Sequence, residues 1–278
     1  MHAFDNALWL LTVLLPLHRA SVVRQLSDGS RVEGDRVDVS QLNKTVFAFL
    51  GIPYARPPVG RLRFADPQKF PPWPGIRQVR TQPNSCYQVE SNPYEQKNPM
   101  LKMWLANTNR SEDCLYLNIW TSSATANTDK PVLVWIYGGS YSQGTITLEV
   151  YDGSVLSAQE DVVVVSMQYR LGFLGNLYLK KTGKLSSQLA TGNQALKDQA
   201  LALEWVRANI AAFGGSPHKV TLMGESAGAA SIGLHWISPI SNHLFNRAIL
   251  ESGSPFVRWA VDSSDAAHGK ALLVSFFV

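Results

Sequence analysis

The sequence predicts an α/β fold with a mainly parallel central sheet, and three observations indicate it. Residues 161–167 are so apolar that the strand they form is expected to be buried on both faces. Residues 194–213 carry apolar side chains at helical spacing, and Gly214 stops the pattern. Residues 220–223 are a short apolar run followed by a turn and a small-residue helix. Buried strands that alternate with helices are typical of parallel α/β sheets.

The remaining elements can be placed in chain order. A polar turn at residues 27–30 predicts an N-terminal antiparallel hairpin, and a third strand is expected at residues 45–53. The prolines of residues 53–75 predict an extended surface loop, and residues 82–113 are expected to form a long polar loop. Further strands are expected at residues 115–120, 131–137 and 247–252.

The composition is that of an ordinary globular protein, with 278 residues, 45% hydrophobic and 17% charged. This length fits one large domain, and no repeat or linker divides it. The net charge is +4 and the isoelectric point is about 9.0. Because the charges form neither a block nor a basic helix, no nucleic-acid partner is expected.

The N-terminus predicts secretion. Residues 7–17 form an apolar run that is too short to span a bilayer and fits the core of a signal peptide over residues 1–20. An uncleaved anchor and a buried N-terminal helix are the alternatives. Sequons at Asn43 and Asn109 predict glycosylation. We therefore expect a secreted or extracellular protein, in which residues 21–278 are the N-terminal portion of one domain.

The two cysteines, Cys86 and Cys114, agree with that compartment. An oxidising environment would let them pair across the loop between them, and the bridge would stabilise the fold by about 3 kcal/mol in the chain-entropy model. Two free thiols are the alternative.

The chemistry centres on Ser226. Residues 224–228 read Gly-Glu-Ser-Ala-Gly between a strand and a helix, which is the context of a nucleophile elbow. In so tight a turn, a Cβ two positions before or after the serine would clash. The backbone N–H groups of Ala227, and of Gly139 and Ser140 in a glycine turn after an earlier strand, are expected to hold an oxyanion. A chance match and an ordinary glycine turn are the alternatives.

Longer motifs make the chain resemble the type-B carboxylesterase and cholinesterase family over about residues 22–260. They include E-D-C-L-Y-L-N-I-W at 112–120, W-I-Y-G-G at 135–139 and V-T-L-M-G-E-S-A-G-A at 220–229. The resemblance implies an α/β-hydrolase fold, whose mainly parallel central sheet carries N-terminal antiparallel strands. It also implies hydrolysis of carboxylic esters through an acyl-serine, and a disulfide between the two cysteines.

Within that family the chain resembles the acetylcholinesterase-like members most. This resemblance implies that the Trp104 indole binds the quaternary ammonium of choline, for which indole is the best aromatic face. It implies that Glu225 lies near the choline head, that Tyr151 lies behind the tryptophan and that Trp259 lines the acyl pocket. Packing alone would also explain Trp104 and Trp259.

Two departures from the family pattern bear on activity. Ser140 stands where the family has a third glycine; it keeps the N–H donor but adds a side chain that would crowd a tight site. A Gly-Gly-Ser turn also resembles the neuroligins, adhesion relatives without the catalytic serine, whereas this chain keeps Ser226. The family's acid and histidine follow the serine, and none of the six histidines here has that context. We therefore expect a fold that is incomplete at the C-terminus and a chain that is nearly inactive by itself.

The expected function is serine-dependent hydrolysis of a small carboxylic ester, with acetylcholine as the candidate substrate. No metal and no organic cofactor are implied. The alternative is a non-catalytic neuroligin-like adhesion or ligand-binding protein, or a truncated isoform. The ester, the oligomeric state and any membrane attachment are left open.

Overall fold

The computed structural model describes residues 21–89, 93–179 and 190–267. The predicted signal peptide and the apolar segment 271–278 lie outside the described residues. Within them, no helix combines the length and the hydropathy that crossing a bilayer requires.

Eleven strands and six α-helices make up the described part of the chain. The strands are β1 (Ser21–Gln25), β2 (Arg31–Val39), β3 (Lys44–Pro53), β4 (Ile76–Gln78), β5 (Ser85–Cys86), β6 (Arg110–Ser111), β7 (Tyr116–Thr121), β8 (Lys130–Ile136), β9 (Val163–Met167), β10 (Gly215–Glu225) and β11 (Arg247–Glu251). The α-helices are α1 (Pro93–Lys97), α2 (Pro99–Lys102), α3 (Ser154–Glu160), α4 (Gly172–Asn176), α5 (Gln194–Asn209) and α6 (Ala227–Ile237).

Nine of these strands form one mixed sheet in the order β1-β2-β3-β7-β9-β8-β10-β11, with β4 paired to β2. The strands from β9 through β8 and β10 to β11 are parallel, whereas β1, β2, β3, β7 and β9 pair in an antiparallel manner. The predicted parallel core with N-terminal antiparallel strands is confirmed. The place of β7 between β3 and β9 was not predicted, because periodicity reports burial and not the order of strands.

The most apolar elements lie in the middle of the structure. All five residues of β9 are buried, as its sequence predicts for a strand covered on both faces. Helix α5 continues as a 3₁₀ turn over Ile210–Phe213 and ends where Gly214 adopts a φ of 84°. The Phe213 ring packs edge-to-face on Phe49 with centroids 4.8 Å apart, which fixes the end of the helix against β3.

The segment 82–113 is more structured than a long loop. It contains the short parallel pair β5–β6 and the helices α1 and α2, the second capped by the Asn98 side chain, whose Oδ1 accepts the Met100 N–H at 3.0 Å. Cys86 and Cys114 form a disulfide, as expected. The Asn-Pro start of α2 is a helix signal that the polarity of this segment concealed.

Candidate active site

Ser226 occupies the turn between β10 and α6. Its backbone has φ 51° and ψ −116°, an unusual conformation for a residue other than glycine. The Ser226 N–H donates to the carbonyl of Glu251 at 2.8 Å, which attaches the turn to the end of β11. The serine therefore stands at the carboxyl ends of the parallel strands, where open α/β sheets bind their ligands.

The steric role predicted for the two flanking glycines is confirmed. A Cβ on Gly228 would lie 2.0 Å from the carbonyl oxygen of Ile136 at the end of β8. A Cβ on Gly224 would lie 2.7 Å from the same oxygen and 2.9 Å from the carbonyl carbon of Gly228. The backbone can turn this closely only because neither position has a side chain.

The glycine turn after β8 lies against the serine. A Cβ on Gly138 would stand 3.0 Å from Ser226 Cβ. Among the described residues, the N–H groups of Gly139 and Ser140 have no hydrogen-bond acceptor. The Ala227 N–H begins α6 and so has no intrahelical acceptor. Three N–H groups without a described acceptor thus lie in the two turns that meet at the serine.

Ser140 adopts a left-handed φ of 56°, and its side chain is exposed. The described residues therefore do not enclose the serine hydroxymethyl group, and the crowding of a bound ester stays a prediction. The next residue, Tyr141, also has a left-handed φ of 57°. Its ring centroid lies 6.5 Å from that of Trp259, and its hydroxyl oxygen lies 3.4 Å from Ser231 Oγ.

Trp259 is therefore close to the oxyanion turn through Tyr141. It is 52% exposed among the described residues, and both its acyl-pocket role and the packing alternative stay predictions. Tyr141 was not singled out in the sequence, although its position directly after the Gly-Gly-Ser turn was available as a signal.

Trp104, Tyr151 and Trp135 form an aromatic cluster near Glu225. The Trp104 and Tyr151 ring centroids are 6.4 Å apart, and those of Tyr151 and Trp135 are 5.1 Å apart. Trp104 is 51% exposed among the described residues, and its cation-binding role and the packing alternative stay predictions. Burial, followed by the negative charge of Glu225, raises the pKa of Tyr151 to about 12, which shows that the carboxylate interacts with this cluster.

Glu225 connects the cluster to the nucleophile. A Cβ on Gly138 would lie 2.7 Å from Glu225 Oε2 and 3.0 Å from Ser226 Cβ, so carboxylate and serine border the same space. Desolvation is the main cause of a raised pKa for Glu225, and the charge of Glu251 on the neighbouring strand adds to it. Glu251 was not predicted as a site residue, because the pairing of β10 with β11 decides its place.

No described side chain hydrogen-bonds Ser226 Oγ. His235 is buried in α6, where its ring nitrogens contact Gln199 Oε1 and Ser241 Oγ, both at 2.9 Å. His218 lies near the start of β10, roughly 25 Å of extended chain from the serine. In the described ranges, no group of His, Cys, Asp and Glu side chains could hold a metal ion.

Residues 20–275 match the sequence model of the carboxylesterase family. The chain belongs to the carboxylesterase family. The α/β-hydrolase fold expected from the motifs is the fold of this family, and the mixed sheet described above agrees with it. Ser226 and the turns around it are thus the elbow region of a carboxylesterase-family chain.

Three curated relatives are similar over most of this chain. Acetylcholinesterase of Gallus gallus is 50% identical over 240 residues, which are 86% of this chain and 30% of the relative. Cholinesterase of Mus musculus is 46% identical over 273 residues, which are 97% of this chain and 44% of the relative. Acetylcholinesterase of Leptinotarsa decemlineata is 46% identical over 245 residues, which are 84% of this chain and 39% of the relative. The chain thus spans less than half the length of the relatives it matches, and its resemblance to the cholinesterases is confirmed.

Proposed function

We propose that this chain carries the nucleophile, the oxyanion turns and the cation site of a serine carboxylic ester hydrolase of the cholinesterase type. The observation that carries the proposal is the position of Ser226, held in a strained turn beside the free N–H groups of Gly139, Ser140 and Ala227. Similarity to an acetylcholinesterase and a cholinesterase supports the same reaction.

In the proposed reaction, Ser226 Oγ attacks the ester carbonyl carbon while its proton passes to a base. The oxyanion that forms is held by the three N–H groups, each of which contributes about 10²–10³ in rate in comparable sites. The C–O bond to the alcohol then breaks, the base returns the proton to the alcohol, and an acyl-serine remains. Water hydrolyses the acyl-serine by the same steps.

The proposed substrate is a choline ester, with acetylcholine as the first candidate. A quaternary ammonium cannot donate hydrogen bonds, so aromatic faces and carboxylates are its natural partners. Trp104 and Tyr151 supply the faces, and Glu225 supplies negative charge between them and the nucleophile. Trp259 is proposed to contact the acyl group, which is supported by its ring distance of 6.5 Å to Tyr141, the residue after the Gly-Gly-Ser turn.

The base and the acid that orients it are proposed to lie outside the described residues. The described His235 is held by Gln199 and Ser241, and the carbonyl of His243 accepts a hydrogen bond from Arg207 on α5. A serine without a base is a weak nucleophile. We therefore expect the purified chain to hydrolyse acetylthiocholine little above background.

A chimaera tests the function separately from the base. Residues 21–267 would replace the aligned segment of the Mus musculus cholinesterase. We expect acetylthiocholine hydrolysis that falls at least about a thousandfold with Ser226→Ala and shows an about tenfold higher KM with Trp104→Ala.

A folded chimaera without Ser226-dependent hydrolysis would instead support the non-catalytic, neuroligin-like alternative. Conversely, turnover by the purified chain alone that Ser226→Ala abolishes would contradict the proposed absence of a base.

Secretion is proposed as well. The apolar run at residues 7–17 supports it, as do the Cys86–Cys114 disulfide and the exposure of Asn43 and Asn109. Expression in a mammalian secretory line is expected to give a medium-borne protein whose mass falls on treatment with an N-glycosidase. Retention of unglycosylated chain in the cytosol would contradict it.

A further inference from the structure

Glu251 is attached to the nucleophile in two ways. Its carbonyl oxygen accepts the Ser226 N–H at 2.8 Å. Its Cα is the register partner of Glu225 in the parallel pair β10–β11. Neighbouring parallel strands are about 4.8 Å apart, and register partners direct their side chains to the same face of a sheet. The two glutamate side chains therefore leave neighbouring positions on the same face of the sheet, next to Ser226.

The two carboxylates have no cationic partner in the described part of the chain. Both residues are partly buried, and neither side chain forms a hydrogen bond or an ion pair with a described residue. The charge of Glu251 contributes to the raised pKa of Glu225, which places the two groups within electrostatic range. Like charges held together without a cation are unfavourable, and a bound cation removes that cost.

The aromatic cluster shows where such a cation would bind. The charge of Glu225 contributes to the raised pKa of Tyr151. The ring centroid of the exposed Trp104 lies 6.4 Å from that of Tyr151. A cation on these rings is thus close to Glu225, and Glu251 is the next carboxylate behind it. Arg247 begins β11 at its other end, roughly 13 Å along the strand, too far to neutralise the pair.

We propose that Glu251 is a specificity-determining residue of the ester site, which acts with Glu225 as a carboxylate pair that favours cationic over neutral ligands. This inference rests on the proposed function, since it assigns Glu251 to the same site. The sequence alone did not single Glu251 out.

The test is the binding of phenyltrimethylammonium to the purified chain, measured by calorimetry at low ionic strength. Glu251→Gln, which keeps the shape and removes the charge, is expected to weaken binding about three- to tenfold, with a smaller effect at high salt. Glu251→Asp keeps the charge and is expected to bind within about twofold of the unaltered chain. Glu160→Gln, at the exposed end of α3, makes the same change in net charge away from the site and is expected to bind normally.

The outcomes separate the two proposals. If Trp104→Ala abolishes binding while Glu251→Gln leaves it unchanged, the cation site stands and the role of Glu251 is overturned. An equal loss with Glu160→Gln would show that only the net charge matters, which also overturns it. Binding that is absent from the unaltered chain, or indifferent to Trp104→Ala, would overturn the cation site itself.

Discussion

Ser226 combines an unfavourable backbone conformation with a fixed position. A residue other than glycine in such a region costs about 1–3 kcal/mol, and the surroundings must supply that free energy. The Ser226 N–H bond to Glu251 and the close contact of Gly228 with Ile136 hold the turn from two sides. In the proposed reaction, this strained turn presents the Ser226 hydroxyl at the edge of the sheet.

The closeness of Gly228 to β8 gives a first prediction. Gly228→Ala is expected to lower the free energy of unfolding by more than about 2 kcal/mol, because the new Cβ would meet a backbone oxygen that cannot move aside. Urea unfolding measures the effect. Gly29→Ala is the control: it has open space and a φ of 87°, so only backbone strain of about 1 kcal/mol is expected. Equal losses for the two variants would contradict the steric explanation.

Helix α6 is anchored to α5 by a buried polar network. The His235 ring contacts Gln199 of α5 and Ser241 after α6, both at 2.9 Å. In α6 itself, Ser231 Oγ donates to the Ala227 carbonyl at 2.8 Å. The element that begins at the nucleophile is therefore tied to its neighbour by hydrogen bonds as well as by packing.

Burial of His235 gives a pH prediction. It lowers the pKa of His235 from 6.5 to about 4, so the unfolded chain takes up the proton first as the pH falls. The contribution of the neutral His235 ring to the free energy of unfolding is complete above about pH 6.5. It is lost as the pH falls toward 4, by about 3 kcal/mol in all. Urea unfolding between pH 4 and 7.5 should show this slope, reduced in His235→Gln. The exposed His218→Gln should keep the slope, and an unchanged slope in His235→Gln would contradict the assignment.

At the scale of the whole molecule, a buried ion pair joins distant segments. Arg170, which follows β9, contacts both carboxylate oxygens of Asp198 in α5 at 2.8 and 2.7 Å. Its third nitrogen donates to the carbonyl of Ala65 at 2.8 Å. The side chains of the pair are only 3% and 0% exposed. The proline-rich loop, the sheet and α5 therefore meet at one charged contact.

Removal of one partner of the Arg170–Asp198 pair is expected to lower the free energy of unfolding strongly. Asp198→Asn leaves a buried guanidinium without its counter-charge and is expected to destabilise the fold by about 3–5 kcal/mol. Asp129→Asn, in the exposed pair with Lys219, is expected to cost less than about 1 kcal/mol. Urea midpoints compare the two. The double variant Arg170→Met/Asp198→Asn is expected to regain part of the free energy of unfolding that Asp198→Asn loses. A double variant that is less stable than Asp198→Asn would argue against the unpaired charge as the cause.

The sequence by itself determined the local features of this protein. Apolar runs predicted β9 and α5 because burial and periodicity are properties of neighbouring residues. Tight-turn chemistry predicted the elbow, since Gly224 and Gly228 are needed whatever surrounds them. The family resemblance added the disulfide and proposed roles for Trp104 and Glu225, which remain to be tested by experiment.

Only the tertiary structure decided which distant residues meet. The antiparallel insertion of β7, the tilted ring contact of Trp104 with Tyr151 and the pairing of Glu225 with Glu251 all depend on the tertiary structure. Periodicity shows which face of a strand is buried, but not which strand lies beside it. Those pairings form between residues far apart in the chain, where the free energy of the whole core selects one arrangement, and they bring Ser226, the Gly-Gly-Ser turn, Glu225 and Glu251 to one edge of the sheet.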